Sequence, residues 1–338
     1  MVIFELPASR DGANLRATSL GSCRVRNPLF VLRDRGDLRI RAEGPTPTHT
    51  AAEALQSLAV AMGEQSIPEA LHPYVFESDH RPSVARLALA LREGVDVFLI
   101  EVSDDKQFSF GDIRLNQNFV SRNLVQPHRG VLLDWYREIS RGGPAQEATV
   151  ETALRKLGGG GARSDEAMAA LLRGIRLERN AGPEIAQTLA AMTAKMGGRW
   201  VIVGPFAIPG DEGDIMQRRR AFNEALSVAA AGCGALFYDP SQLLYAHGRA
   251  IALAGGGADI YEYAESFYPT LGETLVGLIR RVGPPRKPTP APEAAMAERP
   301  RQVRRAWAIG LEAAWAKLAK RVRRLARKTR RGIAKLAR

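Results

Sequence analysis

The chain has 338 residues, 45% apolar and 25% charged, which suits a globular protein with one large domain and an appendage, or with two domains. Its two cysteines, Cys23 and Cys233, exclude a disulfide framework and a cysteine-built zinc site, and point to a reduced compartment. The formal net charge of +12 sits at one end: Arg301 to Arg338 carries 14 Lys and Arg against the single acid Glu312, while the preceding 300 residues carry 34 bases and 35 acids.

The N-terminal segment MVIFELPASRDG has Glu5 inside its only apolar run and no basic leader, so a signal peptide is not expected. No stretch of about 18 apolar residues suggests a membrane-spanning helix. These features together point to a cytoplasmic protein. Residues 15 to 23 read as a first strand and Asp37 to Arg41 as a short second one. Thr50 to Met62 has a helical spacing of apolar positions, with Thr48 or Thr50 as its cap. Val95 to Val102 is nearly all apolar and rich in β-branched and aromatic residues, the pattern of a strand buried on both faces. A helix follows within Gln126 to Ile139, and Gly158 to Gly161 reads as a hinge. That tetraglycine follows no strand and precedes no Gly-Lys-Ser/Thr, so it is not a phosphate-binding loop.

Asp165 to Met196 reads as two helices divided at Ala181-Gly182-Pro183. Trp200 to Val203 and Ala235 to Tyr238 are further strands, separated by a helix over Glu212 to Ala231. Glu262 to Val282 is the last helix of the domain, with Phe267, Leu271, Leu275 and Leu278 on one face. Strands alternating with helices predict a parallel sheet covered on both sides. Residues 284 to 300 hold six prolines in 17 positions, an extended linker. Beyond it Trp307, Leu311, Trp315, Leu318, Val322 and Leu325 recur at helical steps, with Lys317, Arg321 and Arg324 among the bases of the opposite face. The division expected is therefore a domain over 1–283, a linker over 284–300 and a basic amphipathic helix over 301–338. Such a helix suits an anionic membrane surface, with nucleic acid as the rival partner and a solvated tail as the plain alternative.

One short block combines a glycine turn, a nucleophile and cations: Gly21-Ser22-Cys23-Arg24 at the end of the first strand, with Arg26 close behind. Gly21 would allow the turn, and Arg24 and Arg26 would lower the pKa of Cys23. The alternative for Cys23 is a cysteine packed as a small hydrophobe, and Ser22 is the fallback nucleophile or an oxyanion donor. Cys233 reads as structural.

With that turn and that alternation in place, the chain resembles the SGNH hydrolase superfamily, and most nearly its cysteine-bearing branches, the GSCFA family and the capsule-biosynthesis acetyltransferases with a Gly-Asn-Cys-Gln motif. The resemblance spans about residues 15 to 283. It implies a three-layer α/β/α, flavodoxin-like fold, with Cys23 at the position of the superfamily's serine nucleophile. The superfamily's closing Asp-x-x-His matches Asp259-Ile260-Tyr261-Glu262, so Glu262 stands where the catalytic histidine belongs. Gly44 corresponds to the first oxyanion glycine. In place of the Gly-x-Asn-Asp block stands Ser103-Asp104-Asp105-Lys106, with Asn116 and Asn118 as substitutes further on.

The missing base has several candidates. Glu262 is one, although its charge opposes a thiolate. His49, on the loop beyond the second strand, is another, with His128 and His247 behind it. Asp259 could orient a base or bind sugar hydroxyls. Asp104, Asp105, Lys106 and Arg114 read equally as substrate contacts or as a solvated loop, and Tyr261 and Tyr263 equally as packing. No two histidines have metal-ligand spacing, so no metal is expected. The resemblance implies acyl-ester or acyl-transfer chemistry on a carbohydrate, without a bound cofactor, an acyl-coenzyme A being a candidate donor for a transferase. A non-catalytic binding module is the alternative, and a nucleic-acid-associated protein the third.

Overall fold

The computed structural model describes residues 1–7, 14–43, 47–77, 84–157, 162–180, 182–208, 211 and 213–282. The chain divides into two units, Met1–Arg286 and Lys287–Arg338. The linker at 284–300, the basic helix with Trp307, Trp315, Lys317, Arg321 and Arg324, the tetraglycine and Gly44 lie outside the described residues.

The first unit begins β1 (Val2–Leu6), β2 (Leu15–Leu20), α1 (Cys23–Asp34), β3 (Arg39–Glu43), α2 (Ala51–Ala61), α3 (His72–Val75), α4 (Val84–Arg92) and β4 (Val97–Glu101). There follow β5 (Lys106–Phe110), β6 (Ile113–Leu115), α5 (Gln117–Val120), α6 (Arg129–Ile139), α7 (Glu147–Leu157), α8 (Ala162–Gly174), β7 (Ile175–Arg179) and α9 (Gly182–Met196). It closes with β8 (Arg199–Val203), α10 (Asp214–Gly232), β9 (Leu236–Tyr238), α11 (Ser241–His247), α12 (Arg249–Ala252) and α13 (Tyr268–Arg281).

The main sheet has the order β3-β1-β2-β4-β8-β9. β2, β4, β8 and β9 are parallel to their neighbours in that series. β1 runs antiparallel between β2 and β3, a strand the sequence reading did not anticipate. All five of its residues are buried. Phe4 and Leu6 face one core while Ile3 faces the other. Glu5 is tolerated there because Asn14 donates to it at 2.9 Å and Arg41 at 2.8 Å.

Helices cover both faces of this sheet. α1 and α13 bury Leu29, Leu32, Leu271 and Leu275 against Phe4, Val97, Leu99 and Val201. α2, α9 and α10 bury Leu58, Leu189 and Leu226 against Phe98, Ile100 and Ile202. The strand period of two sends alternate residues of β4 to opposite cores. The result is a mixed α/β unit with a mostly parallel sheet between helices.

A second, three-stranded antiparallel sheet, β6-β5-β7, is the other departure from expectation. Ile175 to Arg179, expected inside a helix, forms β7 with Ile175 and Leu177 buried and Arg176, Glu178 and Arg179 exposed. That is a period of two, which overrode the helical reading of its surroundings. With α6, α7 and α8 this sheet encloses its own core around Phe108, Leu132 and Trp135. The last helix also starts later than expected, at Tyr268, after a short turn over Glu265–Phe267.

Candidate active site

β2 ends at Leu20 and α1 begins at Cys23, so the block Gly21-Ser22-Cys23-Arg24 occupies the turn at the carboxyl end of a parallel strand. Ligands of open α/β sheets bind at that end. Gly21 is needed for space rather than for an unusual backbone angle, since its φ is not positive. A Cβ placed on it would lie 2.7 Å from the Cβ of Glu101 and 3.0 Å from its Oε2.

Glu101 ends β4, and the pairing of Leu20 with Ile100 sets it beside the turn. Its Oε2 accepts the Ser22 amide and the Ser22 hydroxyl, both at 2.7 Å. Its Oε1 pairs with Arg24 Nη2 at 2.7 Å. Ser22 is the N-cap of α1 and its Oγ also accepts the Arg24 amide at 3.2 Å. Ser22 is 2% exposed, so its hydroxyl is committed to the cap and the carboxylate. Arg24 is occupied as the counter-ion of Glu101, and Arg26 stacks on Phe30.

Cys23 is the first residue of α1 and its side chain is exposed. Its Sγ donates to Glu262 Oε1 at 3.8 Å. Enclosure by surrounding protein, then the carboxylates of Glu262 and Glu101, push the thiol above its ordinary pKa, against the pull of Arg24. The cations that were expected to activate the thiol are outweighed, because the nearer of them is already neutralised. Glu262 stands on the segment that returns to the core through Tyr263, whose buried ring packs 4.9 Å from Phe206. Asp259 accepts the Tyr261 amide at 2.7 Å and so shapes the turn that presents Glu262.

The other histidine candidates lie elsewhere. His49 Nδ1 is 3.2 Å from Ser103 Oγ, and its Nε2 is 3.2 Å from Asn118 Nδ2. An amide nitrogen can only donate, so Nε2 accepts from Asn118 Nδ2 and Nδ1 carries the proton toward Ser103. Burial and Arg24 lower the pKa of His49, against the attraction of Glu101. Its loop is tied to the nucleophile turn by the Thr48 amide, which donates to Gly21 O at 3.2 Å. Among the described residues no hydrogen bond joins His49 to Cys23 or Ser22. His247 packs edge-on against Phe267, and His128 precedes α6.

Asn116 is a structural cap. Its Oδ1 accepts the amides of Asn118 and Phe119, and its Nδ2 donates to Pro47 O at 3.0 Å. Asn118, two residues on, is exposed and meets His49. Beneath that loop lies Glu53, which accepts the His49 amide at 3.0 Å and whose burial raises its pKa to about 8. Asp105 and Arg114 pair with Arg179 and Glu178 of β7, while Asp104 caps the Lys106 amide, so these residues fasten the second sheet. Among the described residues no cluster of His, Cys, Asp and Glu could hold a metal ion.

Two site residues escaped the sequence reading. Glu101 is the buried hub of the turn, yet only strand register brings it to Ser22. Arg219, on α10, donates Nη1 to Phe206 O at 3.2 Å and to Ile260 O at 2.9 Å. A half-buried arginine between two other arginines, Arg218 and Arg220, carries no sequence signal of its own.

Fold and site together define a layered α/β domain that presents an exposed thiol, paired with a carboxylate, at the carboxyl end of its parallel strands. The family model for the TviD N-terminal domain matches residues 15–277, and the chain belongs to that family. The Vi polysaccharide biosynthesis protein TviD of Salmonella typhi is 24% identical over 270 residues, which cover 78% of this chain and 31% of that protein. The chain thus matches less than a third of that relative's length. No solved structure matches it.

Proposed function

We propose that this chain carries out acyl transfer or acyl-ester cleavage on a polysaccharide during its biosynthesis, with Cys23 as nucleophile. The observation that carries the reading is the contact between the exposed Cys23 thiol and Glu262 at the carboxyl end of the sheet. The family and the Vi polysaccharide biosynthesis protein support the substrate class. The resemblance to SGNH enzymes supports the reaction class, because the carboxylate that meets the thiol stands where their pattern has its base.

In this mechanism Cys23 Sγ attacks the acyl carbonyl as its proton passes to Glu262. The Cys23 amide, the first N–H of α1, faces the developing oxyanion with the positive end of the helix behind it. The leaving group takes the proton back from Glu262. A sugar hydroxyl or water then attacks the thioester, and Cys23 is regenerated. His49 is the second base we assign to the site: its Nε2 releases the Asn118 amide to take the proton of the incoming hydroxyl, while Ser103 holds Nδ1. Glu101, Ser22 and Arg24 hold the turn and do not touch substrate. An acyl-coenzyme A is one donor that would suit a transferase, and no bound cofactor is required. The basic tail is proposed to hold the chain at an anionic membrane surface, with nucleic acid as the competing partner.

One observation favours a second reading. A carboxylate beside the thiol disfavours the thiolate, as a binding module that had lost its chemistry would tolerate. Purified protein separates the two readings. Given an acyl donor and polysaccharide, the wild type should transfer or hydrolyse the acyl group, and Cys23→Ala should reduce the rate by at least about a thousandfold. No transfer or hydrolysis above the uncatalysed rate by the wild type would leave the binding module, and equal catalysed rates for both would remove Cys23 as the nucleophile.

A further inference from the structure

We infer that Arg219 is the site's anion-binding residue, there to receive a carboxylate or phosphate group of the substrate. The inference rests on the reading of Cys23 and Glu262 as the reacting end of the site, and adds to it what the substrate must carry.

The site has two inward arginines with opposite fates. Arg24 is neutralised by Glu101 at 2.7 Å. Arg219 has no acidic side chain within salt-bridge distance among the described residues, although it is only partly exposed. Its Nη1 is committed to two backbone carbonyls, Phe206 O and Ile260 O. Its guanidinium carbon lies 5.2 Å from the ring centroids of both Phe206 and Tyr261. Those contacts fix the plane of the group. They leave Nε and Nη2, the edge that matches the two oxygens of a carboxylate or phosphate, without an acceptor among the described residues.

The position of this edge ties it to the chemistry. Ile260, whose carbonyl Arg219 holds, directly precedes Tyr261 and Glu262, and Glu262 meets the Cys23 thiol. Tyr261 is 55% exposed, so the ring that stacks on Arg219 also opens to solvent. Burial and then the nearby charge of Arg24 work against a cation here, over the smaller opposing pull of Tyr261, Asp104 and Tyr263. A cation kept partly desolvated, with no carboxylate paired to it among the described residues, costs free energy that an incoming anion would recover. The surrounding rings lower the local polarity and strengthen that pairing.

Two substrates present such a group: an acidic sugar of the acceptor, or a phosphorylated acyl donor. Calorimetric titration of the full chain with three probes separates them: trigalacturonate, neutral galactotriose and coenzyme A. The wild type should bind one of the two anionic probes at least about tenfold more tightly than galactotriose, with affinity falling as salt rises. Arg219→Gln should lose about that factor for the same probe. Trigalacturonate as the responding probe identifies the acceptor, coenzyme A the donor. Arg219→Lys, which keeps the charge without the planar fork, should bind more weakly than the wild type, and it carries the test if Arg219→Gln fails to fold by circular dichroism. Equal binding of neutral and anionic probes, no binding of either anionic probe, or unchanged affinity in the variants overturns the inference. Binding is read without turnover, so an inactive Cys23 would leave this result standing, and an indifferent Arg219 would leave the role of Cys23 standing.

Discussion

Cys23 and Glu262 set the chemistry at the scale of single residues. A thiol at the first position of a helix ordinarily gains acidity from the helix end. Here Glu262 and Glu101 oppose that gain, and the thiol is held above its usual range. The negative charge of Glu262 disfavours the thiolate, so removing the charge must lower the thiol pKa. Glu262→Gln should therefore move the inflection of the iodoacetamide alkylation rate of Cys23 to lower pH and speed the reaction near pH 8. The same substitution should slow acyl transfer, because it removes the proton acceptor. An unchanged alkylation profile would mean that Glu262 does not govern the thiol. The Gly-Ser-Cys-Arg block was legible in the sequence, since glycine, nucleophile and cation fall together at a strand end. The role of each was not. Gly21 yields space to Glu101, Ser22 caps α1, and Arg24 neutralises a carboxylate 77 positions away in the chain. Those assignments depend on the register of β2 against β4, which no local pattern encodes.

At the scale of elements, the nucleophile helix is held by α13. Gly272 lets the two helices approach: a Cβ there would lie 2.8 Å from Pro28 O and 3.0 Å from Leu32 Cγ. The backbone oxygen cannot swing aside as a flexible side chain would. Gly272→Ala should destabilise the protein by about 1–3 kcal/mol, read as a lower denaturant midpoint with little change in slope. A midpoint at or above that of the wild type would show that the helices adjust freely. The strands β2, β4, β8 and β9 and the helices α2, α10 and α13 were readable because long apolar runs and helical spacing are strong signals. Strand β1 was obscured by Glu5, whose pairing with Asn14 and Arg41 is visible only once β3 lies alongside. The second sheet was obscured because its strands are short and lie among helices, so that only the alternation in Ile175–Arg179 marks one of them.

For the whole molecule, the chain joins a neutral α/β unit to a strongly basic terminal segment. None of the described helices is long and apolar enough to cross a membrane. On the proposed reading the basic segment supplies membrane attachment. Deleting residues 301–338 should abolish co-sedimentation with vesicles containing anionic lipid while leaving Cys23 alkylation unchanged. Retained sedimentation, or a loss of DNA binding in its place, would reassign the segment. The central claim is that Cys23 carries the acyl group, and mass spectrometry of the intact chain after a short reaction with an acyl donor tests it most directly. The account predicts one acyl adduct, mapped to Cys23, labile to hydroxylamine, discharged by polysaccharide and absent from Cys23→Ala. Acyl transfer that proceeds with no adduct on Cys23, or with the adduct on another residue, would contradict it.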